Sequence, residues 1–95
     1  MTETTRAQAL AMLKIDLGIS TEAYDARLEQ YLATAETEIT REGASLSDSV
    51  GDLQLITMYA AWMWRRRDTM EGMPRMLRYA LNNRIFSEKM RASDG

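Results

Sequence analysis

Apolar residues recur at steps of three and four along most of the chain, the spacing that puts them on one side of an α-helix. Four such stretches predict four helices. The first covers about residues 5–17: Ala9, Leu10, Leu13 and Leu17 share a face, and Met12 and Ile15 widen it. Thr4 or Thr5 can cap it, because a hydroxyl satisfies an otherwise orphan amide. Gly18 stands where a left-handed C′ residue belongs, and Ile19 follows as a staple. The second covers about 21–42, with Ser20 or Thr21 as cap and Tyr24, Leu28, Tyr31 or Leu32, Ala35 and Ile39 on its face; Gly43 stops it.

The third covers about 48–67 and is the most apolar. Leu53, Ile56, Tyr59 or Ala60 and Met63 lie along one side, with Val50, Leu55, Met58 and Trp62 close by, so it is expected to be the central helix. Ser47 or Ser49 can cap it, and Ser49 with Asp52 three residues on approximates a capping box. The run Arg65-Arg66-Arg67 suits the negative end of the helix. After a link containing Gly72, Pro74 opens a fourth helix over about 74–89. Met76 or Leu77, Ala80, Leu81 and Ile85 form its face. Residues 91–95 carry no apolar payload and are expected to fray. β-branched residues are sparse, and no repeat stands out. The reading is an all-α fold: a single small four-helix bundle-like domain over residues 1–95 with a flexible C-terminal tail.

Hydrophobic residues make up 45% of the 95, enough for a core, but a domain this small has modest stability unless neighbours contribute. The charge is uneven. Residues 1–64 carry four basic and ten acidic side chains, a net of -6; residues 65–95 carry eight and four, a net of +4. Such polarity suits nucleic acid, or head-to-tail contact between copies, or simply a solvated surface.

Cysteine and histidine are both absent. That excludes disulfides, a thiolate nucleophile, a Cys/His zinc site and a Ser-His-Asp triad. No phosphate-cradling glycine motif occurs. The N-terminal MTETTRAQAL lacks the charge and apolar run of a signal peptide, and no segment is long and apolar enough to span a bilayer. Asp48/Asp52 and Glu38/Glu42 are paired carboxylates, but nothing else of a site accompanies them and they read as solvated helix faces. No enzyme activity, catalytic residue, cofactor or metal is therefore expected. Arg65, Arg66, Arg67, Arg75, Arg78 and Arg84 interleave with Trp62, Trp64 and Tyr79, a mixture able to hold nucleic acid by phosphate pairing and stacking. The spacing does not resemble a helix-turn-helix. Five of the eight methionines (Met58, Met63, Met70, Met73 and Met76) crowd the third and fourth helices. Met70 and Met73 fall in the link, where a subunit or partner contact is the favoured reading.

Two stretches carry a family likeness: LKIDLGIS (Leu13 to Ser20) with YDARLEQYLATAETEI (Tyr24 to Ile39), and YAAWMWRRRDTMEGMPRMLRYALNNRIF (Tyr59 to Phe86). Together they resemble the small head–tail connectors, or head-completion adaptors, of tailed bacteriophages. The second is the more specific, with its Tyr-Ala-Ala-Trp run, arginines, glycine-containing link and Pro-Arg-Met-Leu.

The resemblance implies a structural virion protein at the neck, made in the cytoplasm of the bacterial host. It implies a ring of copies, dodecameric in the virion, docked beneath the portal protein. That ring would extend the DNA channel and offer a platform to a downstream connector, stopper or tail-completion protein. Packaged double-stranded DNA would pass without sequence readout, and no membrane is involved. Arg65, Arg67, Met70, Glu71, Met73, Arg75, Tyr79 and Phe86 are the candidate subunit and portal contacts, with Arg65, Arg67, Glu71 and Arg75 as candidates for inter-subunit ion pairs. The alternative is a small phage DNA-binding or terminase-associated regulatory protein. A helical adaptor outside any virion, forming a dimer or a one-to-one complex, is a further rival.

Overall fold

The computed structural model describes residues 2–68 and 72–94. It is all-α, with four helices and no strand among the described residues: α1 (Glu3–Leu17), α2 (Asp25–Arg41), α3 (Val50–Arg65) and α4 (Arg75–Asp94). A 3-10 turn, Arg66–Asp68, follows α3 directly. The domain is flat, 45 × 32 × 17 Å.

α3 is the central helix, as its broad apolar surface predicted. It touches α1, α2 and α4, while α1 and α2 also meet each other. One core joins Leu13 of α1, Leu28, Ala35 and Ile39 of α2, Leu53, Ile56 and Ala60 of α3, and Leu77 and Leu81 of α4. Each of the larger side chains contributes roughly 1.5–3 kcal/mol by leaving water. The sequence left pairs open at three positions. Leu32 is buried where Tyr31 is only half-buried, Tyr59 and Ala60 are both buried, and Leu77 turns inward while Met76 stays out.

The helix ends follow from local hydrogen bonding. Gly18 takes φ +69°, and its N–H and that of Ile19 close on the carbonyls of the last turn of α1. This is the left-handed stop expected there. At the other end the cap is Thr2, whose Oγ1 accepts from Thr5 N–H at 3.1 Å, so α1 starts earlier than the Thr4 or Thr5 cap predicted. α2 starts later than predicted. Thr21 Oγ1 accepts from Ala23 N–H at 3.2 Å, a local turn that competes with helix. Tyr24 is the cap residue and makes no side-chain capping bond.

Ser49 caps α3 by accepting from Asp52 N–H at 3.2 Å. α4 departs most from expectation. It continues through Lys89 to Asp94, so the tail predicted beyond residue 89 extends the helix. Four residues assigned to apolar faces are instead exposed: Ile15, Tyr24, Val50 and Met58.

Candidate assembly surface

α4 is held by one side. Leu77 and Leu81 are buried against α3, and Ile85 packs beside them. A polar clamp lies one turn further along. Arg84 Nε donates to Asp52 Oδ1 at 2.7 Å, and Arg84 Nη2 donates to Ser45 O at 2.6 Å. Asp52 Oδ2 accepts from Ser47 N–H at 2.8 Å and from Ser47 Oγ at 3.0 Å. Glu88 accepts from Ser45 N–H at 2.6 Å. The loop between α2 and α3 is thereby bound to α4 at two consecutive turns. Arg78 adds an ion pair to Glu42 at 3.0 Å.

The clamp sets its own ionisation. Burial pushes the Asp52 carboxyl up, but hydrogen bonds from Arg84 and Ser47 outweigh it and hold the group below the usual carboxylate range. The bond to Asp52 raises Arg84. The Ser45 hydrogen bonds hold Glu88 low. This corrects the reading of Asp48/Asp52 as a solvated face. Asp48, which accepts from Thr2 N–H at 3.1 Å, is exposed, but Asp52 is buried beneath Arg84. Glu38 and Glu42 instead pair with Arg41 and Arg78.

The other side of α4 faces solvent and carries four large apolar residues among polar ones. Met76, Tyr79, Phe86 and Met90 are 75%, 58%, 63% and 51% exposed. With exposed Asn83 they step by three, four, three and four residues, one continuous stripe on a helix. Arg75 and Lys89 are exposed along its edge. α4 therefore carries two apolar faces, and only one has a partner within the chain.

The basic-aromatic cluster lies at the end of α3. The Arg66 guanidinium sits 4.3 Å from the Trp62 ring centre, and that of Arg67 sits 3.8 Å from the Trp64 ring centre. Arg67 Nη1 also donates to Trp64 O at 2.6 Å. Tyr24 and Tyr31 pack edge-on to Trp64, and Tyr59 to Trp62. Trp62 Nε1 donates to Gly72 O at 3.1 Å, fixing the start of the following segment. Both indoles thus carry one of the chain's own cations.

Six of the eight contact candidates lie among the described residues, in three places. Tyr79 and Phe86 lie in the exposed stripe, and Arg75 is exposed beside it. Arg65 is exposed on the last turn of α3, and Arg67 lies against Trp64. Met73 is half-buried and packs against the core of its own chain. Met70 and Glu71 lie outside the described residues. Met76 and Met90 belong to the stripe but were not among the candidates. Their steps of three and four from Tyr79 and Phe86 were the available signal.

Among the described residues, no three acidic side chains gather as a metal site would require, and no helix is long and apolar enough to cross a membrane. No protein family, curated protein or solved structure matches the chain.

Proposed function

We propose that this chain is a structural, non-enzymatic assembly protein: a head–tail connector of a tailed phage that forms a ring beneath the portal. The ring extends the DNA channel and joins the capsid to the downstream neck proteins. The observation that carries the reading is the second apolar face of α4. A helix clamped by Leu77, Leu81 and Arg84 on one side presents Met76, Tyr79, Phe86 and Met90 on the other. An exposed stripe of that size on a small domain marks a protein contact. The charge polarity between residues 1–64 and 65–95 favours contacts between unlike surfaces, the kind that close into rings. The likeness of residues 13–39 and 59–86 to head–tail connectors supplies the location in the virion.

The DNA-binding alternative fits less well. Stacking on bases needs open aromatic faces, and Trp62 and Trp64 are covered by Arg66 and Arg67.

Light scattering across a range of concentrations, alone and with portal rings of the same phage, tests the proposal. A ring-sized mass, or assembly that depends on the portal, is expected. A stable dimer indifferent to the portal would overturn it.

A further inference from the structure

α1 and α2 both pack on α3 but leave a groove between them, about 470 Å³ in volume. Leu32 and Ala33 line it, and Ile56 of α3 forms part of its apolar lining. Glu3 and Glu29 stand at it together with Arg6. Among the described residues nothing fills this groove, and α4 is committed to α3 and to the loop before it.

We infer that the groove receives part of the outer face of α4 from a second copy of the chain. The opposite charge character of the two surfaces, and the like charges that stripe-to-stripe pairing would bring together, favour this occupant. The stripe from Met76 to Met90 runs for about 21 Å at 1.5 Å per residue. The groove is lined by Glu3 to Ala9 of α1 and Glu29 to Glu36 of α2, a length of roughly 10 Å, so it takes about half of the stripe. The surfaces have opposite character: Arg75 and Lys89 flank the stripe, while Glu3 and Glu29 stand at the groove. Pairing two α4 stripes instead would bring Arg75 and Lys89 of both copies to one seam, where like charges oppose association.

The contact is head to tail. Each copy that inserts its stripe leaves its own groove open for another, so association continues until the ring closes. The inference rests on the ring reading for that closure, but the contact itself is separately testable.

The chain has no cysteine, so introduced thiols report without background. Ala33→Cys marks the groove and Asn83→Cys the stripe; both side chains are exposed. A short thiol-specific cross-linker is added to each variant, to their mixture and to the double variant, with helicity checked by circular dichroism. The mixture is expected to give dimers, and the double variant a ladder. Adding Phe86→Ser is expected to lower the yield about tenfold, as loss of an aromatic anchor does. Dimers from Asn83→Cys alone, with none joining groove to stripe, would overturn the inference. A ring-sized mass without groove-to-stripe cross-links would also overturn it while leaving the connector reading intact. A ladder from open chains that never close would establish the contact and sink the ring. A monomer without cross-links at every concentration would overturn the inference.

Discussion

Arg84 on α4 and Asp52 in the first turn of α3 meet at 2.7 Å, and both are largely buried, with side-chain exposures of 15% and 5%. The pair decides which side of α4 turns inward. It fixes the rotation of a helix that has apolar residues on both sides and could otherwise bury either one.

Removing one member leaves the other charge buried without its partner, the costly way to break an ion pair. Asp52→Ala is expected to destabilise the domain by about 3 kcal/mol, and urea unfolding followed by circular dichroism measures it. Replacing both residues with apolar ones (Asp52→Leu with Arg84→Met) is expected to cost much less. Equal losses in the single and double variants would show that the Ser47 and Ser45 bonds, and not the pair, hold the clamp.

The same pair sets a pH dependence. Asp52 has a lowered carboxyl pKa when folded, so the folded state binds its proton less readily than the unfolded chain. Its contribution is fully present above the unfolded value, about 4. It is lost as the pH falls from there through the lowered folded value. Glu88 is shifted in the same direction. Midpoints of urea unfolding taken from pH 7 down to pH 2 are expected to fall most steeply below about pH 4. In Asp52→Asn that fall should be shallower.

This clamp was the least legible part of the molecule. Asp52 sits three residues after a capping serine, where an acid usually answers the helix dipole from solvent. Nothing local reveals that its partner lies 32 residues away. The helices themselves were readable because caps and periodicity act within a few residues: Gly18 and Gly43 mark ends as expected, and Ser49 is the one of the two candidate serines that caps α3. Thr21 misled because its hydroxyl served a turn rather than a cap. On α4, periodicity could not choose between Met76 and Leu77, since each begins a valid stripe. The choice is made by α3 and Arg84, which are tertiary facts. Tyr79 and Phe86 were legible as contact candidates, whereas the groove between α1 and α2 exists only once three helices are packed.

Gly18 offers a test of a purely local kind. Its φ of +69° is left-handed, and a Cβ added there would meet nothing within 4 Å. Gly18→Ala therefore costs backbone strain and no clash, and a loss of about 1–2 kcal/mol is expected. Chemical denaturation measures it, and a neutral result would mean that the turn relaxes out of the left-handed region.

The two faces of α4 should separate under mutation. Leu81 is fully buried, so Leu81→Ala removes core and is expected to cost 2–5 kcal/mol in the isolated domain. Tyr79→Ser removes exposed apolar surface and is expected to change unfolding of the isolated domain by less than about 0.5 kcal/mol. Its effect belongs to association: the concentration for half-maximal self-assembly by sedimentation should rise about tenfold, the loss of one interface aromatic. If Tyr79→Ser left assembly unchanged and destabilised the domain as Leu81→Ala does, the outer face would be part of the fold. The reason for giving α4 two apolar sides would then have to be sought within a single chain.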